Sequence, residues 1–144
     1  MLTFLNLEAE GFCSIESLHL QLNPTCTILI KAPNGKGKST ILSALVWAIY
    51  GKNLKGVSEV NTWKQVRPKD YKGTKVQVYF QKDSHTYKIV RCQKYDEVLE
   101  DGAKGKDRLI FMKDGDIVDI KGKGKIQDFI NREIGLSYTL FMNS

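Results

Sequence analysis

A lysine follows two closely spaced glycines near residue 35, and a serine and a threonine come directly after it. Glycines let successive backbone N–H groups converge on phosphate oxygens, and a helix N-terminus adds a dipole that favours anions. Lys38 is spaced to contact β- and γ-phosphate oxygens, and Ser39 is spaced to bind Mg²⁺ through its hydroxyl. This pattern predicts a loop that binds the phosphates of ATP or a close relative, together with Mg²⁺.

The phosphate-loop pattern has glycine at its first position, where this chain has Ala32. Alanine costs little there if the backbone keeps a negative φ and strains the turn otherwise. We predict no catalytic residue in this chain and assign the Mg²⁺ contact to Ser39 through the nucleotide. The predicted nucleotide-binding residues are Pro33, Asn34, Gly35, Lys36, Gly37, Lys38, Ser39 and Thr40.

The elements on either side of the loop fit this function. Residues 26–31 form a compact apolar run without alternation, which is typical of a central strand covered on both faces. Apolar residues then recur at three- and four-residue spacing, which predicts an amphipathic helix over residues 38–50 that Gly51 ends. Strand, glycine loop and helix are the context that a phosphate loop requires.

The rest of the chain predicts mainly antiparallel strands. A first strand and a hairpin partner are expected before residue 23, and alternating residues over 76–81 and 87–92 predict a second hairpin. A shorter hairpin turns at Asp114-Gly115-Asp116, and a last helix, over residues 126–134, ends at Gly135.

Residues 52–72 are expected to form a surface loop with one short helical turn and with Trp63 and Val66 as apolar anchors. Residues 94–107 have the composition of an exposed, mobile loop.

Composition excludes several classes of protein. The chain of 144 residues is long enough to bury one core, and no apolar run approaches the ~20 residues that span a bilayer. We expect a cytoplasmic protein without a membrane partner. Three widely spaced cysteines favour reduced thiols over a disulfide framework, and His19 and His85 lack the spacing of metal ligands.

Hydrolysis needs carboxylates that the phosphate loop does not supply. One must position Mg²⁺ and another must orient water, usually at the end of a second apolar strand. The only candidate is Asp114, after the apolar residues 109–112, and it is better explained as a turn residue.

Several motifs together resemble the ATP-binding-cassette heads of the SMC and SbcC family of DNA double-strand-break repair ATPases, especially the bacteriophage recombination-endonuclease subunits. They are Gly11-Phe12 with Ser14, the phosphate loop, Leu42 with Ala44-Leu45, Tyr50-Gly51-Lys52, and the segment 129–141. The resemblance implies an α/β P-loop NTPase fold, with residues 1–144 as lobe I and antiparallel hairpins beside the P-loop strand and helix.

In that family the C-terminal lobe, coiled coil, signature motif and Walker B carboxylates follow the segment that matches this chain. The resemblance therefore implies an ATP-binding half of a head that hydrolyses ATP in the full-length protein. It also implies partners: the chain's own C-terminal lobe, a second head in an ATP-dependent dimer, an SbcD- or Mre-type nuclease subunit and double-stranded DNA. For a bacteriophage protein the compartment would be the host cytoplasm.

The resemblance does not decide the roles of three residues, Cys13, Asn61 and Thr62. Cys13 stands where the family commonly has an arginine, which puts a nucleotide contact from that position in doubt. Asn61 and Thr62 fall near the family's adenine-side loop, and a surface-loop interpretation is about equally supported.

Two alternative functions were weighed against this one. One is a stand-alone small P-loop NTPase, which would need a Walker B carboxylate, a lid arginine or a guanine-specifying motif, and the sequence shows none of these. The other is a basic DNA-binding module, consistent with the net charge of +6. Its phosphate-contacting residues would be Lys121, Lys123, Lys125 and Arg132, with Lys69, Lys72 and Lys75.

Overall fold

The computed structural model describes residues 2–22, 36–135 and 138 of the chain. Eight strands, two α-helices and one 3₁₀ turn follow one another in this part of the chain. In order they are β1 (Leu2–Phe12), β2 (Ile15–Gln21), α1 (Lys36–Tyr50), the 3₁₀ turn (Lys64–Val66), β3 (Thr74–Lys82), β4 (His85–Gln93), β5 (Tyr95–Val98), β6 (Lys104–Lys106), β7 (Leu109–Lys113), β8 (Asp116–Ile117) and α2 (Lys123–Ile134).

Six of the strands form one antiparallel sheet with the spatial order β2-β1-β3-β4-β7-β8. Its centre is the β3–β4 hairpin, in which Val76 lies opposite Arg91 and Val78 lies opposite Ile89. The period-two pattern predicted this hairpin correctly, because apolar residues alternate with polar ones along β3 and the apolar set is buried. The short turn at Asp114 and Gly115 between β7 and β8 is also confirmed.

Both helices cover the same face of this sheet. The core beneath them combines apolar residues of α1 with the buried side chains of β1, β3, β4 and β7. Phe80, Tyr87 and Phe111 form a stacked aromatic row across three of these strands, with ring centroids 4.9 Å and 5.5 Å apart. Phe129 of α2 packs edge-on against Phe111 at 5.7 Å. The core therefore fixes α2 on the face that also carries α1.

Helix α1 occupies the predicted position and begins two residues earlier than expected. Gly51 ends it with φ of 79°, and its N–H donates to the carbonyl oxygen of Trp47 at 2.7 Å. A left-handed residue at this point is the common way for a helix to end, and glycine adopts it without a steric penalty. Gly135, with φ of 83°, ends α2 in the same way, as predicted.

The prediction of a loop over residues 94–107 was wrong, although most of these residues are exposed, as predicted. Strands β5 and β6 form a separate two-stranded sheet there. Tyr95 is buried against Val90, Cys92 and Ile110 on the face of the main sheet opposite α1. A side chain at Gly105 would meet the Tyr95 ring at 2.7 Å. The polar residues of the segment face solvent, whereas Tyr95, Leu99 and Gly105 pack it against the main sheet.

The predicted strand over residues 26–31 lies outside the described residues. Within the described ranges, neither helix is long and apolar enough to cross a membrane. The observed architecture confirms the predicted α/β fold, with antiparallel hairpins packed beside the helix that follows the phosphate loop.

Candidate nucleotide-binding site

The N-terminus of α1 lies within the phosphate-loop sequence. The helical backbone starts at Lys36, so Gly37, Lys38 and Ser39 belong to the first turn. That turn contains no acidic residue, so no carboxylate of its own opposes the positive end of the helix dipole. Pro33, Asn34 and Gly35 lie outside the described residues, and the nucleotide contacts of all eight predicted residues, including Thr40, stay a prediction.

The C-terminus of α1 is held by two side chains from other elements. Arg91 in β4 donates from Nε to the carbonyl oxygen of Ala48 at 3.0 Å and from Nη2 to that of Ile49 at 3.3 Å. Gln127 in α2 donates to the Ile49 carbonyl at 2.8 Å and also accepts a hydrogen bond from Arg91. Burial lowers the pKa of Arg91 to about 10, which leaves the guanidinium charged at neutral pH. This arrangement fixes α1 against the sheet and α2.

The segment after α1 is anchored by a buried polar junction. The side-chain amide of Asn61 donates to Thr74 Oγ1 at 2.8 Å and to the Gln93 carbonyl at 3.0 Å, and Thr74 Oγ1 donates to the Gly11 carbonyl at 2.7 Å. A Cβ at Gly11 would lie 2.1 Å from the carbonyl oxygen of Gly73, so the close approach of these strands requires glycine. Asn61 and Thr62 are buried, which rules out the surface-loop interpretation of these two residues.

A pocket of about 540 Å³ opens beside this junction. The β1–β2 turn forms one side, and the segment from Glu59 to Arg67 forms the other. Trp63 and Val66 line it and are 78% and 68% exposed, so the prediction that they anchor the loop was wrong. Asn61 takes the inward position instead, because its amide group meets hydrogen-bonding partners there.

Cys13 also lines this pocket. It has φ of 49° in the turn between β1 and β2, and its N–H donates to the Val60 carbonyl at 2.8 Å. Burial and the neighbouring Glu59 raise the pKa of its thiol, so the side chain is neutral at pH 7. Cys13 therefore cannot supply the positive charge that an arginine would bring to this position.

A family model for an AAA domain matches residues 6–143, which is nearly the whole chain. The chain belongs to this AAA domain family. Two solved structures of the recombination mediator protein RecF in the RecFOR pathway, RecF-ATPrS and RecF-ATP, are similar to it, each with a TM-score of 0.53 and 16% sequence identity. The similarity covers 87% of this chain but only 29% and 30% of the RecF chains, so the chain spans less than a third of their length. A comparison with curated proteins found no match.

These findings establish the fold as a P-loop ATPase lobe of the ABC type. The carboxylate considered for hydrolysis and the cations considered for DNA contact lie outside α1.

Asp114 is a turn residue in this AAA domain. It has φ of 52°, and its carboxylate accepts from the Thr86 N–H at 2.9 Å and contacts His85 Nδ1 at 2.6 Å. These contacts lower the pKa of the Asp114 carboxyl. Among the described residues, no cluster of three histidine, cysteine or acidic side chains could hold a metal ion. The turn role predicted for Asp114 accounts for its contacts with Thr86 and His85.

The lysines predicted to contact DNA fall into two sets with different surroundings. Lys121, Lys123, Lys125 and Arg132 are exposed, and none of them forms an ion pair within the described part of the chain. By contrast, Lys72 pairs with Glu97 at 3.0 Å, and Lys75 lies over the Tyr95 ring on the face opposite α2. Lys75 therefore lies away from the surface formed by the first set, whereas Lys69 is exposed and forms no ion pair with the described residues.

Proposed function

We propose that this chain binds ATP with Mg²⁺ and forms the N-terminal half of an SMC/SbcC-like ATPase head. The observation that carries the proposal is the start of α1 inside the phosphate-loop sequence of an AAA domain. Helix N-termini that follow glycine loops bind phosphates through free N–H groups and the helix dipole. Helix α2 also begins in a glycine- and lysine-rich segment, residues 121–125, but that segment lacks the Gly-Lys-Ser-Thr order of a phosphate loop.

Each loop residue has a defined part in the proposal. Gly35 and Gly37 free the backbone to approach the phosphates, Lys38 contacts β- and γ-phosphate oxygens, and Ser39 binds Mg²⁺. Thr40 supports a phosphate nearer the base, while Pro33, Asn34 and Lys36 shape the loop. Mg²⁺ arrives with the nucleotide and neutralises charge on the phosphates.

Hydrolysis is assigned to the assembled protein. The described residues include no carboxylate cluster that could hold a metal, and Asp114 is occupied in a turn. A C-terminal lobe with Walker B carboxylates and a second head would complete two ATP sites. The similarity covers only 29% and 30% of the RecF chains, which supports a division of the ATPase head between this chain and a C-terminal lobe.

The same proposal assigns the assembled protein to DNA double-strand-break repair or recombination in the cytoplasm, beside an SbcD- or Mre-type nuclease subunit. The resemblance to repair ATPases supports this role, and so does the structural likeness to a recombination mediator protein. ATP-dependent dimerisation would then regulate access of the nuclease to DNA.

The test compares ATP binding and turnover by this chain with and without a candidate C-terminal lobe. We expect binding by the chain and turnover only after addition of the lobe. Lys38→Ala should abolish binding, whereas Lys55→Ala, which changes an exposed lysine outside the loop, should leave it intact. Unchanged ATP affinity in Lys38→Ala would overturn the proposal, and turnover by the isolated chain would overturn the half-head assignment.

A second function, contact with double-stranded DNA, is favoured by the exposed cations at the start of α2. Lys121, Lys123 and Lys125 precede or begin this helix and form no ion pair with the described residues. Each phosphate that they neutralise should contribute roughly 0.9 to the slope of log affinity against log salt.

Replacing all three lysines with alanine should lower both the affinity for duplex DNA and the salt slope, measured by fluorescence anisotropy between roughly 50 and 200 mM salt, an interval over which phosphate contacts weaken strongly. A control variant with alanine at the exposed Lys55, Lys64 and Lys106 has the same net charge. Equal losses in the two variants would show a general charge effect and contradict a specific surface.

A further inference from the structure

We propose that a pocket between the C-terminus of α1 and the N-terminus of α2 binds a phosphate group. The ligand is free phosphate or the terminal phosphate of a nucleic acid strand, which present the same anionic oxygens. This site goes beyond the proposed binding of ATP, because it lies at the end of α1 opposite to the phosphate loop.

The pocket lies where three elements meet. Gly51 follows the last turn of α1, Arg91 comes from β4, and Lys123 and Gly124 belong to the first turn of α2. Its volume of about 330 Å³ is at the small end of ligand sites, which span roughly 300–1,000 Å³. The pocket is therefore large enough for a phosphate group.

Arg91 brings a buried positive charge to this pocket. It is 7% exposed and forms no ion pair with the described residues. Its Nε and Nη2 donate to acceptors on α1 and α2, whereas Nη1 has no acceptor in the described part of the chain. A buried donor without an acceptor is costly, and guanidinium groups bind phosphate through charge-assisted hydrogen bonds. A phosphate oxygen would supply the acceptor that Nη1 lacks.

Gly51 leaves space beside Nη1 of Arg91. A Cβ at residue 51 would lie 3.0 Å from Nη1 and 3.4 Å from the central carbon of the guanidinium. Both residues line the pocket. The glycine that ends α1 therefore also keeps the guanidinium accessible to a small ligand.

The first turn of α2 adds backbone donors from the other side. The first N–H groups of a helix have no acceptor within it, and Gly122 at the N-cap offers them no side-chain hydrogen bond. This turn contains no acidic residue, and Lys123 is exposed without an ion pair to the described residues. Such a helix N-terminus binds anions through its N–H groups and its dipole. Two separate elements thus favour an anion in one pocket.

One acidic residue, Asp107, also lines the pocket. Its carboxylate accepts a hydrogen bond from the backbone N–H of Lys94 at 2.9 Å. Arg91 and Lys123 bring two positive charges against this negative one. Burial raises the pKa of the Cys92 thiol, which also lines the pocket, to about 12, so that group is neutral at pH 7. The charged side chains of the lining therefore sum to a positive charge at neutral pH.

The first experiment measures binding of inorganic phosphate by calorimetry. It uses the Lys38→Ala chain, so that the phosphate loop does not contribute. In that chain, Gly51→Ala fills the space beside the guanidinium, and Lys123→Ala removes the cation at the start of α2. Arg91 is left in place because it also holds the C-terminus of α1. Lys55→Ala is the control, since Lys55 is exposed and lies outside the pocket.

We expect Gly51→Ala and Lys123→Ala each to weaken phosphate binding by about ten-fold, because each disturbs a charge-assisted contact. Lys55→Ala should leave the phosphate affinity unchanged. In chains that retain Lys38, both pocket variants should bind ATP as tightly as the wild type, which separates loss of this site from loss of the fold.

The second experiment identifies the source of the phosphate group. Two DNA duplexes that differ only in a 5′-terminal phosphate are compared by fluorescence anisotropy, and this comparison rests on the proposed contact with DNA. A terminal phosphate as ligand should make the phosphorylated duplex bind about ten-fold more tightly, and Gly51→Ala should abolish the difference. Equal affinity for the two duplexes, with inorganic phosphate still bound, would assign the pocket to free phosphate.

Absence of phosphate binding by the Lys38→Ala chain would overturn the proposal. Phosphate affinity that neither Gly51→Ala nor Lys123→Ala changes would also overturn it, because the anion would then bind elsewhere. A wild-type chain that binds phosphate at this pocket but does not bind ATP would contradict the proposed phosphate loop and still support this site.

Discussion

The N-terminus of α1 lies in the phosphate-loop sequence, whereas its C-terminus is enclosed by side chains from β4 and α2. The first turn has no acidic residue to neutralise the helix dipole, and the last turn contains no basic residue of its own. Arg91 supplies the missing cation at the C-terminus from the sheet. The comparison shows how one helix can present its positive end to a ligand while its negative end is compensated inside the protein.

Arg91 is an unusual side chain for a protein core. It is only 7% exposed and forms no ion pair among the described residues. Removing a charge from water is costly, and burial accordingly lowers the pKa of the guanidinium to about 10. The carbonyls of Ala48 and Ile49, at the negative end of α1, offset part of that cost.

The largest structural effect should come from Arg91→Met, which keeps much of the side-chain volume but removes the donors. Two carbonyls at the end of α1 would lose a charged partner, and the loss of stability should be about 1–3 kcal/mol. Urea denaturation measures it. Arg132→Met, at an exposed position on α2, should change stability by less than about 0.5 kcal/mol. Equal stability of Arg91→Met and the wild type would contradict the assigned role.

A smaller effect is expected for Gly51→Ala. The left-handed φ of 79° costs a residue with a Cβ about 1 kcal/mol, and this Cβ would approach Arg91 Nη1 to 3.0 Å. Thermal denaturation should therefore show a lower midpoint, while the folded variant should still bind ATP at the other end of α1.

Gly124→Ala is the matched control for Gly51→Ala. A side chain at Gly124, in the first turn of α2, would meet nothing within 4 Å. Because alanine is a better helix former than glycine, this control should be neutral or slightly stabilising. If Gly51→Ala reduced the free energy of ATP binding as much as the free energy of unfolding, the two ends of α1 would be coupled. That result would contradict the separate roles assigned to them.

The sequence predicted the elements in which one periodicity dominates. The main sheet buries the alternating residues of β3, and the apolar spacing of residues 38–50 matches α1 closely. The hairpin of β5 and β6 escaped prediction because it is docked against the sheet mainly by Tyr95, the partly buried Leu99 and the buried Gly105. A single aromatic residue among charged neighbours carries little periodic signal.

The candidate site was predictable only where the chemistry is local. The phosphate loop is a contiguous pattern, so its residues could be named from the sequence. The pocket beside Trp63 combines the β1–β2 turn with a segment about fifty residues later, and the burial of Asn61 depends on Thr74 and Gln93. The role of Arg91 likewise requires carbonyls more than forty residues away. Such partners become visible only when the sheet is assembled.

The smallest effect at neutral pH concerns Tyr50, the last residue of α1. Burial raises the pKa of its hydroxyl from 10.0 to about 12. Because the folded value is above the unfolded one, the stability from the neutral phenol is fully present below pH 10 and is lost as the pH rises to about 12. Arg91 has the opposite effect on stability. Its guanidinium has a lower pKa in the folded chain than in the unfolded chain, so the free-energy cost of burying its charge decreases as the pH rises from about 10 to 12.5.

Comparing the wild type with Tyr50→Phe separates these two groups, because Arg91 is common to both proteins. The difference in free energy of unfolding should stay constant between about pH 7 and pH 9 and should shift in favour of the phenylalanine variant above about pH 10. Urea denaturation across this pH range measures the difference. If it remained constant up to about pH 11.5, the Tyr50 hydroxyl would titrate equally in the folded and unfolded chains, and its burial at the closed end of α1 would be contradicted.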